Sequence, residues 1–186
     1  MSEPSETIEI QNVVASTAID QELELEQLSM DLQGSDYNPE QFPGLVFRQT
    51  DPKAAVLIFR SGKLVSTGAN TVEATEASFE TVFDEFEDLG ISISDEPEST
   101  IQNIVMSGDL ETTLNLNAIA IGLGLESVEY EPEQFPGLVY RMDEPDVVTL
   151  LFGSGKVVIT GATAREDGAD AMTHITNELE QLGLLA

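Results

Sequence analysis

Glu40-Gln-Phe-Pro-Gly-Leu-Val-Phe-Arg48 recurs 93 residues later as Glu133-Gln-Phe-Pro-Gly-Leu-Val-Tyr-Arg141. The residues that follow repeat at the same offset: Leu57-Ile-Phe59 and Leu150-Leu-Phe152, Ser61-Gly-Lys63 and Ser154-Gly-Lys156, Thr67-Gly-Ala69 and Thr160-Gly-Ala162. Of the thirty positions 40–69, eighteen are identical in 133–162. Ungapped identity at that density identifies a duplicated unit.

Working outward, each copy carries the same run of elements. Thr7–Ser16 is rich in β-branched residues and reads as a strand, and its Ile10-Gln-Asn-Val-Val-Ala-Ser16 is answered by Ile101-Gln-Asn-Ile-Val-Met-Ser107. Leu25, Leu28 and Leu32 predict a helix over 21–32, capped by Asp20 and ended by Gly34. Asp36–Pro39 reads as a short strand entering a turn. Three strands follow, over 45–50, 54–60 and 63–69, with Ser61-Gly62 as a two-residue hairpin turn. Phe79, Val82, Phe83, Phe86 and Leu89 then mark one face of a longer helix that Gly90 terminates. Met172, Ile175, Leu179 and Leu182 are the second-half counterparts. The fold class is therefore α+β: two β-α-β-β-β-β-α repeats, 7–93 and 94–186, joined into one ten-stranded antiparallel sheet with helices on one face. Residues 1–6 read as a disordered acidic tail.

Seven basic and thirty-five acidic residues give a net charge of -28, yet 41% of the chain is hydrophobic, which excludes a disordered polyanion. The carboxylates are spread through both halves rather than gathered in a tail, as on a surface solvated for concentrated salt. No Cys is present, so disulfides, thiolate metal sites and Cys nucleophiles are excluded. Without an apolar leader or a long apolar run, a cytoplasmic, nucleoid-associated protein is expected, with no membrane partner. Six of the seven bases (Arg48, Lys53, Arg60, Lys63, Arg141 and Lys156) fall in 42–69 and 135–162, with four acids; 70–100 holds ten acids and no base. One repeated surface has escaped acidification, which points to an anionic ligand. Helices on one side leave the opposite sheet face uncovered, and an apolar, base-flanked, doubled surface suits duplex DNA.

Together, the paired IQN-(V/I)-V, EQFPGLV-(F/Y)-R, L-x-F and SGK-x-V-x-TGA motifs resemble the TATA-box-binding protein family of archaea and eukaryotes, over essentially all of 7–186. The acidity resembles the form found in salt-loving archaea. The resemblance implies a pseudo-twofold saddle, four helices on its convex face, and a concave face in the DNA minor groove. This family is a known example of minor-groove wedging. It implies Phe42 with Phe59, and Phe135 with Phe152, as wedge pairs entering base steps and bending the duplex. Asn12 and Asn103 would meet the A N3 and T O2 acceptors, with Thr67 and Thr160 completing the central contacts. Val14, Val65, Val105 and Val158 would press on the groove floor. Arg48, Lys53, Lys63, Arg141 and Lys156 would hold phosphates; Asp146 in the place of Lys53, and Gly153 in that of Arg60, imply a weaker grip by the second half. Glu131, Glu133 and Gln134 lie in a loop resembling the stirrup gripped by transcription factor B, through which RNA polymerase is recruited indirectly.

No cofactor or metal is implied, and a single His with no nucleophile elbow argues against an enzyme; His174 reads as a surface or packing residue. A duplicated protein-interaction module using the free sheet face without DNA stays open as the alternative, as does weak homodimerisation of the free protein through that face.

Overall fold

The strands alternate between two environments, and that alternation decides where everything else sits. A computed structural model describes residues 3–93 and 97–185. The first half runs Glu9–Ala18 (β1), Leu25–Asp31 (α1), Ser35–Asp36 (β2), Leu45–Thr50 (β3), Lys53–Ile58 (β4), Lys63–Ala69 (β5) and Val72–Asp88 (α2). The second runs Thr100–Asp109 (β6), Leu116–Leu123 (α3), Val128–Glu129 (β7), Leu138–Met142 (β8), Val147–Leu151 (β9), Lys156–Ala162 (β10) and Arg165–Gln181 (α4). The ten strands form one antiparallel sheet in the order β2-β3-β4-β5-β1-β6-β10-β9-β8-β7. No helix among the described residues is long and apolar enough to cross a membrane.

In the first half, Leu45, Phe47, Val56, Ile58, Leu64 and Ala15 project to one side and pack with Leu25 and Leu28 of α1 and Phe79, Val82 and Phe86 of α2. Partners in register on the other side are only half-buried: Val46 opposes Leu57, which opposes Val65, which opposes Ser16. The α2 helix begins on the Thr71 hydroxyl, which accepts from Ala74 N at 3.0 Å. It ends in a Schellman pair, Ile91 N to Phe86 O and Gly90 N to Glu87 O, with Gly90 at φ 87° as expected. In the second half, Ile119, Met172, Ile175 and Leu179 take the equivalent buried positions.

Three local expectations are corrected. Expected from Gln21 with Asp20 as cap, α1 starts at Leu25 after Glu24. The cause is tertiary: Leu23 N–H is taken by Arg60 O at 2.8 Å, so 21–24 line the hairpin instead of turning into helix. The hairpin itself is longer than two residues. Gly62 N bonds Phe59 O, and Phe59 N bonds Lys63 O, leaving a three-residue loop whose last member, Gly62, sits at φ 93°. Finally, Pro4–Thr7 form a 3-10 turn in place of most of the disordered tail; Met1 and Ser2 lie outside the described residues. The Thr7 hydroxyl donates to Pro4 O and accepts from Asp109 N, and Ile8 is buried against Gly108 and Gly168. Arg165, the one base outside the repeated surface, donates to Ile8 O at 3.1 Å.

These contacts carry the chain across its own repeat boundary. The compact units are residues up to Gln11 together with those from Asn103 on, and Asn12–Gln102. In the latter, Thr17 and Gln21 side chains donate to Glu98 O and Ser92 O of the connecting segment.

Two substitutions test this packing. Gln49 Nε2 donates to Ser78 O at 2.8 Å, beside the Ser66 and Ser78 hydroxyls, but its buried Oε1 has no partner among the described residues. The repeat places buried Met142 there. Gln49→Met should raise stability by about 1 kcal/mol by removing that orphan acceptor; a lowered denaturation midpoint in molar KCl would show that the amide bond to Ser78 outweighs it. Second, a Cβ on Gly62 would run into the carbonyl oxygens of Ile19 and Gln21, whereas one on Gly90 meets no atom of the described residues within 4 Å. Both adopt positive φ, so Gly90→Ala isolates backbone strain, about 1–2 kcal/mol. Gly62→Ala should cost clearly more in the same denaturation assay; equal losses would show that the clash is relieved.

Candidate nucleic-acid interface

The face that the helices leave uncovered is built from two matching rows per half. One is Val46–Leu57–Val65–Ser16, the other Arg48–Ala55–Thr67. The second half repeats them as Val139–Leu150–Val158–Ser107 and Arg141–Val148–Thr160. Val14 and Val105 share this face and are half-buried. An apolar floor with hydroxyls at one end and guanidinium groups at the other is thus laid down twice.

At the hairpin end of each floor stands an aromatic pair. Phe42 and Phe59 meet edge-to-face at 5.8 Å between centroids, Phe135 and Phe152 at 5.9 Å. Phe42 and Phe135 remain 37% and 40% exposed, so each pair presents a free ring rather than filling the core. A tight turn sets the first ring of each pair: Phe42 N bonds Asn38 O, and Phe135 N bonds Glu131 O, both at 3.0 Å. The glycine of the Phe-Pro-Gly motif sets the approach. A Cβ on Gly44 would lie 2.8 Å from Phe42 and 3.0 Å from Phe59; on Gly137, 2.7 Å from Phe135 and 3.0 Å from Phe152. Only glycine lets both rings rest on the backbone.

Asn12 and Asn103 lie in the half-buried rows of β1 and β6, and neither amide is left to rotate. Asn12 Oδ1 accepts from Gly68 N at 2.6 Å, and its Nδ2 donates to Thr67 Oγ1 at 3.2 Å. Asn103 does the same with Gly161 N at 2.6 Å and Thr160 Oγ1 at 3.1 Å. Each Asn is therefore joined to the Thr expected to act beside it.

Arg48, Lys53, Lys63, Arg141 and Lys156 are exposed at strand ends and edges. The halves differ here. Arg141 lies 3.7 Å from Glu129, both exposed, which makes a weak, screened pair. The β8–β9 turn holds Asp143, Glu144 and Asp146, where the first half has Asp51 in the β3–β4 turn and Lys53 at the start of β4. Glu131, Glu133 and Gln134 are exposed together on the turn that ends at Phe135. His174 is half-buried, its Nε2 3.4 Å from the Tyr140 hydroxyl, away from the free face. Among the described residues, no group of three or more His, Asp or Glu side chains is placed to hold a metal ion.

Several members of the face were not singled out from sequence. Val46 and Val139, and Leu57 and Leu150, are identical in the two halves and share strand parity with Arg48 and Phe59, so the signal was present. Gln11 Nε2 donates to Ser107 Oγ at 2.7 Å, and Gln102 Nε2 to Ser16 Oγ at 2.8 Å. Gly44, Gly68, Gly137 and Gly161 carry no side-chain signal at all, and their roles emerge only with their neighbours in place.

Comparison with known proteins gives this face a context. The family described as "Transcription factor TFIID (or TATA-binding protein, TBP)" matches residues 7–89 and 98–182. The chain is 62% identical over 185 residues to the TATA-box-binding protein of Haloarcula marismortui, covering 100% of both chains. It is 61% identical to that of Natronomonas pharaonis, covering 100% of this chain and 99% of the relative. The solved structure of Methanococcus jannaschii TBP superposes with a TM-score of 0.83 at 50% identity, covering 94% of this chain and 98% of the other. With both repeats matched and the whole length shared, the chain belongs to the TATA-binding protein family.

Proposed function

We propose that this protein is a transcription initiation factor that binds TATA-box promoter DNA through its free sheet face, in the minor groove, and bends the duplex. The observation that carries this reading is the pair of edge-to-face Phe couples, each seated on a glycine with one ring exposed. A couple of this kind is a wedge: it can enter a base step and replace base stacking with ring contact, which kinks the duplex and brings more of the groove against the sheet. Val14, Val65, Val105 and Val158 then lie against the groove floor, where the amino group of guanine would intrude. Asn12 with Thr67, and Asn103 with Thr160, face the base acceptors. Arg48, Lys53, Lys63, Arg141 and Lys156 hold phosphates, more firmly in the first half than in the second.

The exposed Glu131, Glu133 and Gln134 turn is the proposed docking point for transcription factor B, which brings RNA polymerase to the bent promoter. The family and the names of the relatives support the DNA ligand; the turn's exposure beside the second wedge supports the partner.

Salt enters the binding reaction with an unusual sign. Ordinary phosphate contacts weaken as salt rises because condensed cations are released. Here a net charge of -28 faces a polyanion, and cations must be taken up between carboxylates and phosphates. Screening shortens to about 3 Å at molar salt, and the apolar floor and wedges gain under salting-out conditions.

Anisotropy and end-to-end energy transfer on a labelled TATA duplex, with a G·C-substituted control, test the reading from low to molar KCl. Selective binding with a shortened end-to-end distance is expected; absence of selectivity at every salt would move the function to a protein-interaction module. Affinity should rise with KCl over part of that range, and a negative slope throughout would overturn cation uptake. Phe42→Ala or Phe135→Ala should lengthen the end-to-end distance and weaken binding by about tenfold or more, taking roughly 1–3 kcal/mol per lost aromatic–base contact. Unchanged energy transfer in both variants would remove the wedges from the mechanism.

A further inference from the structure

Asparagine is an ambiguous reader, because one end of its amide donates and the other accepts. In this fold the ambiguity is removed by the backbone of the neighbouring strand. Between Val13↔Ala69 and Ala15↔Ser66, β1 advances two residues while β5 advances three, so β5 carries a bulge at Thr67-Gly68. Between Ile159↔Met106 and Ala162↔Ile104, β10 carries the same bulge at Thr160-Gly161. The bulge releases the Gly68 and Gly161 N–H groups from the ladder and turns them to Asn12 Oδ1 and Asn103 Oδ1, each at 2.6 Å. Gly68 and Gly161 sit at φ 93° and 91°. The space around them is open, with the nearest atoms to a Gly68 Cβ 3.9 Å away, so conformation and not crowding requires glycine there.

We propose that Gly68 and Gly161 are positioning residues that fix the polarity of Asn12 and Asn103, making each a donor-only reader. This deepens the proposed function and rests on it. A backbone N–H can only donate, so the amide oxygen is committed inward and Nδ2 is turned to the free face. One of its protons goes to the Thr67 or Thr160 hydroxyl, and that hydroxyl lies 3.4 Å from the same Asn Oδ1, to which it donates in turn. The amide oxygen therefore accepts from two donors, and the second Nδ2 proton stays free. Each Asn thus shows a donor and no free acceptor. In the minor groove, A·T and T·A pairs show only acceptors, whereas guanine adds an amino donor. Donor meeting donor leaves both unpaired when water is excluded. Preference for A·T is then set by hydrogen-bond polarity in addition to the steric exclusion supplied by the valines.

The test replaces central adenines of the TATA duplex with 2,6-diaminopurine, which adds the guanine-like amino group while keeping thymine as partner. Wild-type protein in molar KCl should bind the substituted duplex about tenfold or more weakly, the loss expected for one mismatched polar contact. In Asn12→Asp, one carboxylate oxygen still accepts from Gly68 N–H, so the denaturation midpoint is kept, while the outward atom becomes an acceptor. The ratio of affinities for the two duplexes should fall towards one or invert, and Asn103→Asp should behave alike. A ratio unchanged from wild type in both variants would overturn the proposal. In the free protein, the Gly68 and Gly161 amide protons should resonate downfield and exchange slowly, and Gly68→Ala should lose both signatures at residue 68 and lower the ratio. Ordinary shifts and fast exchange in the wild type would also overturn it, whatever the DNA affinity of the variants. Failure of the wild type to prefer TATA over the G·C-substituted duplex would instead remove the underlying function, leaving the amide-proton measurement to judge the geometry.

Discussion

A sheet with helices on one side only can bury one set of its side chains, and that constraint underlies the whole molecule. In β3, β4 and β5 the buried set is Leu45, Phe47, Val56, Ile58, Leu64 and Ser66, and the helices α1 and α2 complete its core. The other set is held at half burial by its own neighbours across the strands. It therefore has to be apolar enough to suit a pleated surface and polar enough at its ends to stay in water. Arg48, Lys63, Asn12 and Thr67 meet the second demand. Under the proposed function they are also what a duplex would touch, so stability of the uncovered face and recognition use the same residues.

The same constraint explains how charge is distributed. Carboxylates on α2 lie on the side opposite Phe79, Val82 and Phe86, exposed to solvent where they cost nothing in packing. Acids on the free face would oppose any polyanion directly. The β8–β9 turn, with Asp143, Glu144 and Asp146, is where this separation is least complete, and it makes the two halves electrostatically unequal although their backbones follow one plan.

Much of this was legible in the chain because the duplication checks itself. The strands over 45–50 and 63–69 were located to the residue, since period-two patterns bounded by Pro, Gly and Asp recur in both copies. The paired Phe residues and the Asn and Thr residues of the free face were reached through the resemblance to the TATA-binding protein family, which the repeated motifs carry. What escaped was set by contacts distant in sequence. The start of α1 depends on the Arg60 carbonyl, the three-residue hairpin on Gly62 beneath Ile19 and Gln21, and the order at Pro4–Thr7 on Asp109 and Arg165. The roles of Gly44, Gly68, Gly137 and Gly161 were hidden for a simpler reason: unlike the helix-ending Gly90, they show their function only when a neighbouring side chain is in place.

Ile8 and Thr7 have a consequence for how the chain acquires its structure. They complete a core whose other members, Met106, Gly168 and Met172, are made about a hundred residues or more later, and the Arg165 bond to Ile8 O spans 157 positions. During synthesis the residues that lead into the first strand thus meet part of their core only when β6 is made and the rest only when α4 is made. Closure of so long a loop comes late, after local hairpins and helices have formed. A half-chain cut at the repeat boundary would take Ile8 away from the core it fills. The duplication reads as two modules, but α4 of the second copy completes the core that Ile8, ahead of the first strand, enters.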